Sequence, residues 1–156
     1  MAQESTASRS AAVLEEVLGI LSYTRWPVEP AELRLCVIGQ VRYADDLMGG
    51  ATQASGRPVV GRRLPPLSVG IGTGCDIVYL GAMGDADRQR VFSQLSGRPI
   101  LSISEQDTTC TVGSMFCLQV EPAQISFLVN LDSVARSGVR VSPKVLQLGR
   151  RRASQP

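Results

Sequence analysis

The run Arg34-Leu35-Cys36-Val37-Ile38-Gly39 is apolar at successive positions and ends in glycine. Continuous apolarity over so short a stretch suits a strand covered on both faces, the pattern of parallel sheets in α/β domains. Gly74-Cys75-Asp76-Ile77-Val78-Tyr79-Leu80-Gly81 repeats it, with a cysteine at the strand start and a glycine at its end. The two runs are expected to lie side by side, with Cys36 and Cys75 meeting across adjacent strands.

Upstream, Val13, Leu14, Val17, Leu18 and Leu21 recur at helical spacing. They predict a helix capped by Ser10, with Glu15 and Glu16 in its first turns, ending near Arg25-Trp26-Pro27 because proline disfavours helical geometry in the residue before it. Residues 1–10 read as a disordered arm. After the strand at 32–39, a short helix is expected over 41–50, closing at Gly49-Gly50, then a loop over 51–57. Pro58-Val59-Val60-Gly61 reads as a short strand that the following Arg62-Arg63 and Pro65-Pro66 place at an edge of the sheet. Residues 75–104 spell out a βαβ unit: strand 75–81, a helix capped by Asp85 and stopped at Gly97, and strand 99–104. Its two strands should run parallel with a right-handed crossover. The apolar runs 113–120 and 125–130 flank Glu121-Pro122-Ala123-Gln124 and predict a hairpin. Two short helices are expected around Val134-Ala135 and over 142–148, before a disordered tail at 151–156. The fold expected is one compact α/β domain over 11–150, with a mixed, mostly parallel sheet flanked by helices, a C-terminal β-hairpin and disulfide braces.

Composition narrows the chemistry. At 156 residues and 44% hydrophobic, the chain can bury one complete core, and with only 4% aromatics that core must be Val, Leu and Ile. A net charge of +2 exerts little pull on nucleic acid, and Arg150-Arg151-Arg152 reads as solvated charge. All the basic residues but Lys144 are arginine, which reads as coding bias more readily than as function. The chain has no histidine, which removes the commonest acid/base catalyst and metal ligand. Gly70-Ile71-Gly72-Thr73-Gly74 precedes a strand, whereas a dinucleotide loop follows one, so it reads as a flexible loop delivering Cys75. Ser142 with Lys144 is the one nucleophile/base pairing in view and reads better as a helix start. No catalytic residue, metal or cofactor is expected.

The four cysteines, Cys36, Cys75, Cys110 and Cys117, do not form the paired CxxC pattern of a zinc site. Disulfides fit better than four small buried thiols, and place the protein in an exported compartment such as the periplasm. Residues 1–10 lack the apolar segment of a secretory signal, so export would need a signal already removed. No run approaches the ~18–20 apolar residues of a membrane span. Neighbourhood favours Cys36–Cys75 and Cys110–Cys117, although the sequence permits two other connectivities. Closing a loop of about 40 residues contributes on the order of 4 kcal/mol, and one of about 8 residues about 2.5 kcal/mol. The first bridge is then the structural clamp. The second, shorter and expected to be more exposed, is either structural or a redox switch. Trp26, the only tryptophan, either faces a ligand or partner together with Arg25 or packs the helix end onto the sheet.

In order and spacing these features resemble the YfiR family of periplasmic regulators. The residues that carry the resemblance are Tyr23-Thr24-Arg25-Trp26-Pro27, Leu35-Cys36-Val37-Ile38-Gly39, Cys75-Asp76-Ile77-Val78-Tyr79-Leu80, Ile100-Leu101-Ser102-Ile103-Ser104, Cys110, Cys117, Ile125-Ser126-Phe127-Leu128-Val129-Asn130-Leu131 and Ser142-Pro143-Lys144-Val145-Leu146. Many family members carry histidine directly after the second cysteine, where this chain has Asp76, so no role of that histidine transfers. The resemblance implies a dimeric periplasmic repressor that binds the periplasmic sensory part of an inner-membrane diguanylate cyclase, YfiN. It also implies release of cyclic-di-GMP synthesis when an outer-membrane lipoprotein, YfiB, sequesters the repressor. Partner contact is expected at the exposed part of the first helix and the Arg25-Trp26-Pro27 corner, without nucleic acid or membrane insertion. The alternative is a periplasmic small-molecule-binding domain with a pocket near Arg25 and Trp26.

Overall fold

The computed structural model describes residues 6–122 and 124–148. It opens with α1 (Thr6–Ser22), the short strand β1 (Thr24–Arg25) and β2 (Leu33–Ile38). Next come α2 (Asp45–Met48), β3 (Ala51–Thr52), β4 (Pro58–Leu64), α3 (Ile71–Gly74) and β5 (Ile77–Leu80). The chain continues through α4 (Asp85–Leu95), β6 (Leu101–Ser104), β7 (Phe116–Val120), β8 (Ile125–Val129), α5 (Leu131–Arg136) and β9 (Arg140–Val141). One seven-stranded sheet has the order β3-β4-β2-β5-β6-β7-β8, and β1 pairs with β9 in a separate ribbon. β4, β2, β5, β6 and β7 are parallel, while β3 and β8 lie antiparallel at the two edges. The mixed, mostly parallel sheet and the C-terminal hairpin both form as the pattern predicts.

Strand alternation explains why the apolar runs are continuous. Leu33, Leu35 and Val37 face α1, where Val13, Val17, Ile20 and Leu21 are fully buried with Tyr79, Ile103 and Phe116. Each such side chain contributes about 1.5–3 kcal/mol relative to exposure. Cys36 and Ile38 point the other way, joining Val78 and Leu80 in a second core under Ile71 of α3 and Val91 and Leu95 of α4. With both faces of the sheet covered from Leu35 to Ile38 of β2 and along β5, no polar half is needed there.

Several expectations change. α1 begins at Thr6 within the described residues, so residues 6–10 are helix rather than arm, Glu15 and Glu16 fall mid-helix, and Ser10 is buried inside the helix instead of capping it. The cap of α4 is Gly84, and Asp85 instead pairs with Arg88 as the first helical residue. Gly97, at φ 72, does end that helix. The helix at 41–50 shrinks to α2 because the buried Glu105 carboxylate accepts from the Arg42 and Tyr43 amides at 2.7 and 2.8 Å, drawing that segment out of helical register. The 51–57 loop contains β3, which pairs only with Pro58 and Val59, so β4 is the penultimate strand with most of its outer edge unpaired by strand. The flexible loop at 70–74 is the helical turn α3, anchored by the fully buried Ile71. Of the two tail helices, α5 forms and residues 145–148 are helical. The tail at 151–156 lies outside the described residues.

Candidate functional site

Cys36 lies within β2 and Cys75 just before β5, its parallel neighbour, so adjacent strands bring the sulfurs together. They are bonded, with Cα atoms 5.9 Å apart. Cys110 and Cys117 are also bonded, at 5.6 Å. The second bridge spans the crossover from β6 to β7, which contains no helix, and joins its loop to the start of β7. Cys110 adopts φ 57, a left-handed conformation unusual for a side chain with a Cβ. Asp107 Oδ1 accepts its N–H and Asn130 Nδ2 donates to its carbonyl, which hold it there. The second bridge is not the exposed one expected, because Cys110 is 5% and Cys117 0% exposed. The loop folds inward under Asn130, and a short sequence separation carries no information about burial.

The Arg25-Trp26-Pro27 corner divides. Arg25 and Pro27 are exposed, whereas Trp26 is 5% exposed. The Trp26 indole N–H donates to the Asp76 carbonyl at 3.3 Å, and Arg57 lies 5.5 Å from the ring centroid. Arg57 in turn pairs with Glu29, whose carboxylate also accepts the Trp26 amide. Burial opposes ionisation of Glu29, but these bonds outweigh it and hold the carboxyl below its usual range. Trp26 is therefore a packing residue that welds the helix end to the sheet.

Asp76 is the hub that the sequence reading passes over. Its carboxylate accepts from the Arg34 backbone amide and from Nε and Nη2 of the Arg34 guanidinium at 2.9–3.0 Å. Its own amide donates to the Arg34 carbonyl, and its carbonyl accepts from Leu101 as well as Trp26. One residue after Cys75, it ties β2, β6 and the Trp26 corner together. The Arg34 guanidinium is held above its usual range, chiefly by the hydrogen bonds to Asp76. A second polar hub is Glu105, which also accepts the Tyr79 hydroxyl at 2.9 Å. Burial, reinforced by the Glu105 carboxylate, raises the Tyr79 phenol. The signal for both hubs was an acid flanking a fully apolar strand, where an ion survives only if paired.

The chain order of the parallel strands reverses between β2 and β5, where open α/β sheets place their ligand crevice. Here Gln40 and Ala82 exchange backbone hydrogen bonds at 2.8 and 2.9 Å and stitch that seam shut. Gly81 makes the stitch possible, since a Cβ there would lie 2.1 Å from the Gln40 carbonyl oxygen. Gly39 turns beside it at φ 86. An open cleft of about 870 Å³ lies beyond, lined by Gln40, Arg63, Pro65, Met83 and Asp87 among others. Arg25, Trp26 and Pro27 do not line it. Ser142 Oγ accepts the Lys144 backbone N–H at 3.2 Å, the geometry of a turn entering the helix at 145–148. Among the described residues, no group of three or more His, Cys, Asp or Glu side chains could hold a metal ion. No helix there is long and apolar enough to cross a membrane.

The profile of the YfiR/HmsC-like family matches residues 10–150. The match takes in both disulfides, the Trp26 corner and the whole sheet.

Proposed function

Because this chain belongs to the YfiR/HmsC-like family, we propose that it is a periplasmic, non-catalytic repressor that binds the periplasmic sensor domain of an inner-membrane diguanylate cyclase and holds it inactive. The observation that carries this reading is the family match over residues 10–150. Two buried disulfides support an oxidising compartment. Repression then needs no chemistry from this chain: it binds the cyclase's inactive state preferentially, and an outer-membrane lipoprotein competes for the free repressor. The active form is a dimer, and the redox reading of Cys110–Cys117 loses the exposure it was argued from, which leaves that bridge a structural one. At the corner, Arg25 and Pro27 together with the exposed side of α1 offer contact surface, with Trp26 as its internal support. The small-molecule reading gains no observation, because Trp26 is occupied by its own fold.

The test is the affinity of the fully oxidised protein for the purified periplasmic domain of the candidate cyclase. Micromolar or tighter binding is expected. Absence of binding at high concentration would reduce the family membership to a shared fold.

A further inference from the structure

On the α4 side of the sheet, β4 is covered at Leu64, which packs against the second core, but not at Val60 or Arg62. Its register with β2 sets Val60 beside Arg34 and Arg62 beside Cys36. Both therefore lie on the α4 side of the sheet, yet Val60 is 44% exposed and Arg62 is exposed as well. Beyond β4 the chain forms a turn, with the Ser68 amide donating to the Pro65 carbonyl, that holds Leu67 at 60% and Val69 at 95% exposure. This turn is braced at its base. Gln94 of α4 donates to the Ser68 carbonyl at 2.7 Å and accepts the Gly72 amide. Three arginines converge on the successive carbonyls of α3: Arg98 donates to Gly72, Arg34 to Thr73 and Arg62 to Gly74.

Arg34 is neutralised by Asp76, but Arg62 and Arg98 make no ion pair among the described residues. Two cations at one helical turn, beside apolar side chains on a turn whose backbone is hydrogen-bonded at Ser68, form a contact surface that loses less freedom on binding than an unbraced loop would. We propose that this surface, Val60, Arg62 and Arg98 with the Leu67/Val69 turn, docks an acidic segment of the protein partner that offers an apolar recess to the turn. Charge selects the occupant. A second copy related by a two-fold axis would set arginine against arginine. Three exposed aliphatic side chains, Val60, Leu67 and Val69, supply too little apolar area for stable seating in a bilayer. The inference rests on the repressor reading, with the cyclase sensor domain as the partner. It also extends the Trp26 corner, because Asp76 joins Arg34 of this surface to the Trp26 indole.

The experiment compares wild type with Arg62→Glu/Arg98→Glu and with Leu67→Ser/Val69→Ser, titrated against the same cyclase sensor domain over a range of salt. Arg62 and Arg98 hydrogen-bond only to backbone carbonyls of α3, so their reversal loosens that turn while leaving both cores intact, and Leu67→Ser/Val69→Ser leaves the brace untouched; Tm is measured for each, and loss of binding by the serine variant at wild-type Tm is what assigns the surface. Each is expected to weaken binding by about tenfold or more, and the charge reversal is expected to flatten its salt dependence. If wild type binds and both variants bind equally well, the surface is not the docking site although the repressor reading stands. If wild type does not bind, that reading fails and this inference falls with it. Two further outcomes overturn the proposal: co-sedimentation of wild type, but not the variants, with vesicles of phosphatidylcholine and phosphatidylglycerol, or a change in the variants' oligomeric state by light scattering.

Discussion

Replacing Cys36 and Cys75 together by alanine removes the bridge that closes the longer loop, and the cost can be worked from the chain. Cross-linking across about 40 residues withholds roughly 4 kcal/mol of entropy from the unfolded state, against about 2.5 kcal/mol for the Cys110–Cys117 loop of about 8 residues. Both sulfurs of the first pair are buried in the α4-side core, and loss of their packing adds up to about 1 kcal/mol. Cys36→Ala/Cys75→Ala should therefore cost about 4–5 kcal/mol and lower Tm by roughly 8–20 °C at about 2–4 °C per kcal/mol. Cys110→Ala/Cys117→Ala, whose sulfurs are equally buried, should cost about 2.5–3.5 kcal/mol. Urea unfolding without reductant measures both. Fluorescence is a clean probe, because the single tryptophan, Trp26, is 5% exposed and will shift to the red on unfolding. A second-bridge variant as destabilised as the first would refute the denatured-state argument and hand control to native packing of the 105–115 crossover. A refinement separates the two: since Cys110 sits at φ 57, Cys110→Gly/Cys117→Ala should recover about 1 kcal/mol over the alanine pair.

The polar hubs and the stitched seam yield sharper tests. Glu105→Ala strands the Arg42 and Tyr43 amides and the Tyr79 hydroxyl, at about 3–5 kcal/mol given about 1–3 for each buried donor left unpaired and partial rescue by water; a loss under 1 kcal/mol in urea would show that the loop simply refolds. Tyr79 ionises at a higher pH when folded than when unfolded, so its contribution is complete below the ordinary tyrosine value of about 10 and declines as pH rises above it. Tyr79→Phe, though less stable at neutral pH for want of the Glu105 bond, should show a shallower fall in Tm between neutral and strongly alkaline pH, and an unchanged slope would exclude Tyr79 as the titrating group. Gly81→Ala places a Cβ 2.1 Å from the Gln40 carbonyl oxygen; it should cost about 3 kcal/mol or more or prevent folding, and near-wild-type Tm would mean that the Gln40–Ala82 bridge does not hold in solution.

What the sequence by itself determined was whatever depends on local chemistry and on burial of both sheet faces. The apolar runs of β2 and β5, each closed by a glycine, read as neighbouring strands covered on both faces and so favoured a Cys36–Cys75 bridge over the two other connectivities, and that bridge forms between them. The βαβ unit through α4 and the hairpin of β7 and β8 follow from periodicity and turn residues for the same reason. Tertiary structure decided matters that depend on a distant partner. Ser10 has the chemistry of a cap but lies inside α1, because a helix extends as far as its neighbours reward burial. The stretch at 41–44 has helical spacing but yields to the Glu105 carboxylate, more than sixty residues away. The glycine-rich turn at 70–74 looks flexible in isolation, yet Ile71 anchors it, and Gln94 and three arginines brace it from three other parts of the chain. Burial of Cys110, the division of the Trp26 corner and the uncovered stretch of β4 at Val60 and Arg62 belong to the same class. Each is set by what folds over a residue, and no local pattern records that.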